Sequence, residues 1–97
     1  MTKEFENLKL LTSKDWEYAH LQLTNGRDIF CIVCYGSVGS DYKICFYPNS
    51  EEEILLENGD YLELVEKVRK TKEPYLERSL NTDIYALYLN QNNISYI

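Results

Sequence analysis

Long apolar runs are missing from this chain. No stretch approaches the roughly 18 residues that a membrane-spanning helix needs, and Met1-Thr2-Lys3-Glu4-Phe5-Glu6 has neither the basic nor the apolar region of a signal peptide. The sequence therefore predicts a cytoplasmic protein. Basic residues are few: ten Lys plus Arg stand against sixteen Asp plus Glu, for a net charge of −6. That balance repels nucleic-acid phosphates and disfavours direct DNA or RNA binding, while it favours a basic protein surface as partner. Cysteines number three, an odd count that cannot close a complete disulfide framework, and a cytoplasmic chain keeps them reduced. The four glycines build no nucleotide loop. Gly36-Ser37-Val38-Gly39-Ser40 lacks the Lys-Ser/Thr of a P-loop and joins two strands, so it reads as a hairpin loop and not as a phosphate cradle.

What the chain does contain is ordinary globular material. Its 97 residues, 44% hydrophobic and 27% charged, include nine tyrosines, and no repeat or linker divides residues 1–97, so one domain with one core is expected. The abundance of Lys, Asn, Ile and Tyr suits an AT-rich bacterial or phage gene.

Periodicity assigns the elements. Phe5, Leu8 and Leu11 at steps of three, with Thr2 as cap, predict a short helix at the N-terminus. From Trp16 the pattern changes to alternation, Leu21 and Leu23 against His20, Gln22 and Thr24, and Asn25-Gly26 suits a two-residue type I′ turn. That turn pairs Gln22 with Ile29, His20 with Cys31 and Tyr18 with Val33. A three-residue turn with a bulge at Gly26 would slip the register by one. A third strand follows at Tyr42–Tyr47 and stops at Pro48. Ser50 and Glu53 have capping-box spacing, so 51–57 reads as a short helix, with a brief strand as the alternative. Asp60 and Glu63 repeat the cap, and Tyr61, Leu64, Val65 and Val68 share one helical face up to about Lys72. For the last third, a helix from Pro74 to Leu89 with an extended tail is preferred over a hairpin of 84–89 with 94–97. The expected fold is α+β, an antiparallel three- to four-stranded sheet (strands near 16–24, 27–35 and 41–47) packed by helices near 60–72 and 74–89.

Cys31-x-x-Cys34, Cys45 and His20 formally supply a Cys₃His zinc set. A strand, however, sends residues i and i+3 to opposite faces, and the expected register puts His20 with Cys31 on one face and Cys34 with Cys45 on the other. No metal or other cofactor is expected. His20 opposite Cys31 also resembles a thiol with its base. In mid-sheet such a pair lacks oxyanion donors, so no catalytic residue is assigned and the chain is read as a non-enzyme, with a thiol enzyme or zinc protein ranked behind the binding functions.

Two features point to binding. Glu51, Glu52, Glu53, Glu57, Asp60, Glu63 and Glu66 place seven carboxylates in sixteen residues before Lys67, Arg69, Lys70 and Lys72 follow. Such a run serves as helix N-terminal charge or a solvated face, and equally as an anionic patch that steers the domain onto a cationic groove. In the expected register Trp16, Tyr18, Ile29, Val33, Tyr35, Tyr42, Ile44 and Phe46 share one sheet face, and Ala19, Leu21, Leu23, Phe30, Ile32 and Cys34 the other. Both faces are apolar, so helices sandwich the sheet or one aromatic face meets a partner. The expectation is a small acidic protein-binding domain, a stoichiometric inhibitor of the bacterial immunity or phage anti-defence type. It would dock on a basic surface of a nucleic-acid-handling protein through the seven carboxylates with Trp16, Tyr18, Tyr35 and Tyr42. The alternative is a homodimeric scaffold or regulatory subunit that uses the aromatic face.

Overall fold

A three-residue loop at Thr24-Asn25-Gly26 sets the geometry of everything around it. In the computed structural model, which describes residues 5–35, 41–80 and 82–92, Gly26 N–H donates to Leu23 O and Leu23 N–H to Arg27 O, at 2.9 and 2.8 Å. Arg27 N–H donates to the Asn25 side chain at 2.9 Å. With Asn25 committed to that local bond, Gly26 alone in the loop takes a positive φ, +90°. The two-residue turn expected from Asn-Gly is thereby replaced by the one-residue-longer loop.

The sheet is an antiparallel meander in the order β1-β2-β3-β4, comprising β1 (Lys9–Lys14), β2 (Tyr18–Gln22), β3 (Asp28–Tyr35) and β4 (Asp41–Phe46). β2 pairs with β3 through Tyr18↔Ile32, Ala19↔Cys31, His20↔Phe30 and Leu21↔Ile29. β3 pairs with β4 through Phe30↔Phe46, Cys31↔Cys45, Ile32↔Ile44 and Tyr35↔Asp41. Each register differs by one residue from the sequence expectation, which pairs Gln22 with Ile29 and, across the next loop, Tyr35 with Tyr42, and a one-residue slip turns a whole strand over. β3 is therefore flipped relative to both neighbours. Tyr18, His20, Phe30, Ile32, Cys34, Tyr42, Ile44 and Phe46 occupy one face, and Ala19, Leu21, Ile29, Cys31, Val33 and Cys45 the other.

The expected N-terminal helix is absent from the described residues, and the chain at 9–14 is β1, paired with β2 across a bulge between Leu10 and Thr12. Its side chains alternate, Leu10 and Thr12 half-buried and Lys9 and Leu11 exposed, so the three-residue spacing of Phe5, Leu8 and Leu11 does not mark a helix. Leu8 is buried. Its N–H donates to Gln91 Oε1 at 3.0 Å, while Gln91 Nε2 donates to Phe5 O at 2.6 Å. The proposed cap Thr2, the loop 36–40 and the tail 94–97 lie outside the described residues.

Four helices follow: α1 (Ser50–Glu57), α2 (Tyr61–Lys70), α3 (Lys72–Arg78) and α4 (Ile84–Gln91). The capping box of α1 is Asn49 with Glu52, one position before the Ser50–Glu53 pair expected. α2 ends at Lys70, where Thr71 leaves helical geometry, and Pro74 enters the first turn of α3, where its missing N–H is not needed. The continuous helix expected over 74–89 is instead two, one ending at Arg78 and the next starting at Ile84. Between them Leu80 N–H donates to Cys45 O at 2.7 Å and so covers the outer edge of β4, and Asp83 restarts the helix by accepting from Ala86 N–H at 3.0 Å.

Both sheet faces are packed. α1, α2 and α3 bring Leu56, Leu64, Val65, Val68 and Tyr75 onto Phe30, Ile32, Ile44 and Phe46. On the opposite face Leu8 and Ile84 pack against Leu21, Ile29, Cys31 and Cys45, with Tyr85, Leu87 and Tyr88 of α4 partly buried beside them. Among the described residues no helix is long and apolar enough to cross a membrane.

Candidate functional site

The β1–β2 turn presents the most exposed large apolar side chain among the described residues. Glu17 N–H closes the turn onto Lys14 O at 2.9 Å, and Trp16 sits at φ +67°. A left-handed conformation costs a residue with a side chain about 1–2 kcal/mol, so something must hold it. Trp16 O accepts from Tyr35 Oη at 2.7 Å and from Arg69 Nη2 at 3.3 Å. The same guanidinium donates to Val33 O at 3.0 Å and Glu17 Oε1 at 3.1 Å, and stands 5.0 Å from the Tyr35 ring centre. Clamped through its backbone, Trp16 leaves its indole 69% exposed. Tyr35 and Tyr42 are exposed at 48% and 37%, and Lys72 Nζ lies 5.6 Å from the Tyr42 ring centre.

Beside this turn a cleft of about 430 Å³ opens between α4 and the uncovered end of the sheet, walled by Trp16, Val33, Lys43 and Tyr85 and floored by Ala19 and Cys31. Lys43 Nζ is bonded to Asp83 Oδ2 at 3.0 Å across it.

The residues singled out in the sequence separate into distinct environments. Tyr18 is half-buried, stacked on Tyr61 at 5.1 Å and Phe30 at 5.6 Å, so it belongs to the core margin and not to an exposed aromatic face. Glu51, Glu53, Glu57, Asp60, Glu63 and Glu66 are exposed on α1, α2 and the turn between them. Glu52 is not: 2% exposed, it accepts from Arg78 Nη1 at 2.9 Å and Nη2 at 2.7 Å, and from Asn49 N–H at 2.8 Å. Burial by itself raises this carboxyl's pKa, but the bonds from Arg78 and the Asn49 backbone outweigh it and hold the group below its ordinary value. Arg78 also donates to Tyr47 O at 2.7 Å, so this ion pair ties α1, α3 and the end of β4 together.

His20 and Cys31 face opposite sides of the sheet, which removes the thiol–base pair. His20 packs edge-on to Phe30, with Nε2 3.5 Å from Asp28 Oδ1, too long for a good hydrogen bond, and its two ring nitrogens have no hydrogen-bond partner. Burial pushes its pKa down, and the neighbouring Asp28 carboxylate offsets part of that. The formal zinc set is still divided two and two, with partners exchanged: Cys31 with Cys45 on one face, His20 with Cys34 on the other. Among the described residues no three of His, Cys, Asp and Glu gather to hold an ion.

Three participants escaped the sequence reading. Arg69 and Arg78 act from helices remote in sequence from Trp16 and Glu52, and no local pattern signals such pairs. The Cys31–Cys45 apposition follows from the β3–β4 register alone, one residue off the expected pairing of Tyr35 with Tyr42. No protein family, curated protein or solved structure compared with this chain matches it.

Proposed function

We propose that this chain is a non-catalytic protein-binding domain, a stoichiometric inhibitor of the bacterial immunity or phage anti-defence type, that docks on a basic surface of a nucleic-acid-handling partner. The observation that carries the reading is Trp16: an exposed indole on a backbone held in the left-handed region by Arg69 and Tyr35. Strain of this kind persists only where surrounding structure enforces it, and Trp is the residue most enriched among interface anchors. The six exposed carboxylates supply the sign of the partner. The alternative, a homodimeric scaffold or regulatory subunit that uses an aromatic face, would draw on the exposed Trp16, Tyr35 and Tyr42.

The two features divide the labour of binding. Long-range charge governs association rate and salt dependence, whereas a desolvated anchor governs dissociation. Affinity purification from the native host identifies the partner, and surface plasmon resonance then compares variants. Trp16→Ala should weaken binding by roughly 2 kcal/mol or more, about 30-fold, mainly in the dissociation rate. Glu53→Lys with Glu57→Lys should slow association and flatten its salt dependence. The reading fails if neither change affects the complex, or if light scattering finds a stable homodimer that forms no salt-sensitive heterocomplex.

A further inference from the structure

Strand register places two thiols directly opposite each other beneath the start of α4. Cys31 pairs with Cys45 across β3 and β4, and the type of pair follows from the hydrogen bonds. Val33 N–H donates to Glu17 O towards β2, so the odd-numbered residues of β3 direct their backbone groups to β2 and not to β4. Cys45 O accepts from Leu80 N–H, outward from the sheet. Cys31↔Cys45 is therefore a non-hydrogen-bonded pair, the type in which facing side chains approach closest, with Cα atoms roughly 4.5 Å apart. That lies at the short end of the about 4.4–6.8 Å range a disulfide spans.

Three further observations converge on the pair. The thiols are close enough to act on each other's ionisation, the interaction lowering Cys45 and raising Cys31. The backbone at Ile84 and Tyr85, the first two residues of α4, favours ionisation of Cys45 and Cys31 respectively, while the Asp83 carboxylate beside them opposes it at both. Cys31 also floors the cleft beside Trp16, which gives a small reagent a path to a dithiol that is otherwise buried.

We infer that Cys31 and Cys45 form a redox-active dithiol that a peroxide converts to an intramolecular cross-strand disulfide. One thiolate of the pair attacks a peroxide oxygen, the O–O bond breaks, hydroxide departs and takes up a proton as water, and a sulfenic acid remains. The second sulfur displaces the sulfenic hydroxyl as water and closes the S–S bond. Two thiols and one hydrogen peroxide give one disulfide and two waters. Cys45 is the sulfur held lower, by its neighbour Cys31 against its own burial and Asp83, while burial chiefly pushes Cys31 up; the cleft reaches Cys31, and either order of attack gives the same disulfide. A small thiol reverses the oxidation by exchange through a mixed disulfide. The Cys31-x-x-Cys34 motif plays no part, since Cys34 sits on the opposite face among Phe30, Ile32 and Val68.

The test treats the native full chain with hydrogen peroxide, alkylates the remaining thiols after denaturation, and maps disulfides by peptide mass spectrometry, with circular dichroism confirming the native fold. The expected product is a monomer that has lost two hydrogens, is linked Cys31–Cys45, retains an alkylatable Cys34, and returns to the dithiol in glutathione. Cys34→Ser should leave the yield unchanged, and Cys45→Ser should abolish the intramolecular link. A Cys31–Cys34 link, links between chains, or both thiols surviving peroxide that consumes free cysteine would each overturn the assignment. Because the mapping is done on the unaltered sequence, misfolding of a variant does not rescue the idea.

Discussion

Replacing Arg78 by leucine should reverse the sign with which the Glu52 site responds to acid. The substitution removes both bonds to a carboxylate that is 2% exposed and leaves it only the Asn49 N–H and Tyr75. Breaking a buried pair from one side costs about 3–5 kcal/mol. The Arg78 side chain is itself 34% exposed, so water reaches part of the gap, and about 2–4 kcal/mol is the discounted expectation. For a domain of this size that lowers Tm by on the order of 10–30 °C. In the native protein Glu52 is held below its ordinary value, so its contribution is complete above the unfolded carboxyl value of about 4.3 and is lost as pH falls through the lower folded one. Without Arg78, burial is the largest influence left and raises the pKa above the unfolded value. The folded state then binds more protons than the unfolded one, and the site gains stability as pH falls from neutral towards about 4.3. The gap between the two proteins must therefore narrow on acidification. Urea titrations at neutral and mildly acidic pH, with unchanged m-values, measure that gap directly. A pH-independent difference, or a cost under about 1 kcal/mol at neutral pH, refutes the reasoning, since a partner's removal is expected to cost several times that. Glu52→Gln, which keeps the shape of the capping box, should make the Arg78 substitution much cheaper in a double-mutant cycle.

At Trp16 the usual order of glycine and alanine should invert. Both substitutions lose the same ring contacts, but glycine relieves about 1–2 kcal/mol of left-handed strain and gives back about 0.4–1 through its freer unfolded chain. Trp16→Gly should thus exceed Trp16→Ala by roughly 0.5–1 kcal/mol in denaturation. Equal or reversed stabilities would mean that the backbone is not held as described. His20, the single histidine of the chain, gives one imidazole signal in NMR, and it should titrate below about 6.5. Asp28→Asn should lower it further, because Asp28 opposes the burial effect. With the folded pKa depressed, His20 contributes stability that is whole above the unfolded value and is lost as pH falls towards the folded one. A normal or elevated titration would contradict the burial of its ring among Phe30 and Tyr61.

The legible parts of this fold were those decided locally. Alternation announced β2 and β3, Pro48 bounded β4, and the stripe of Tyr61, Leu64, Val65 and Val68 located α2 because that face meets the sheet. Asn25-Gly26 announced a hairpin, yet its loop length turned on whether Asn25 took a positive φ or accepted from Arg27 N–H, a choice with little energy in it. That small choice reassigned every side chain of β3, including both cysteines of the C-x-x-C. The α3–α4 break was hidden for another reason: Leu80 leaves helical geometry in order to cap Cys45 O on an edge strand, a tertiary demand overriding a continuous apolar stripe. Of the candidate surface, Trp16, Tyr35, Tyr42 and six carboxylates are exposed. Burial of Glu52 and Tyr18 depended on Arg78 and Tyr61, contacts with no sequence signature.

The relation between the acidic and aromatic features is set by α2. Its first residue, Tyr61, stacks under Tyr18, and near its last, Arg69, grips the Trp16 carbonyl. Ten residues of helix span about 15 Å. The helix carries Glu63 in its first turn and Lys67, Arg69 and Lys70 in its last, so each sign sits at the end of the helix dipole that favours it. The same ordering brings Arg69 to the Trp16 carbonyl and leaves Glu63 in the first turn, towards the other end of the helix. A partner that engages both must present a basic patch for the carboxylates and, about one short helix away, an apolar pocket for the indole that tolerates a neighbouring guanidinium. A uniformly basic groove meets only the first condition. Charge alone would let this domain adhere to many cationic surfaces, and the rigidly presented Trp16 is what can restrict it to one.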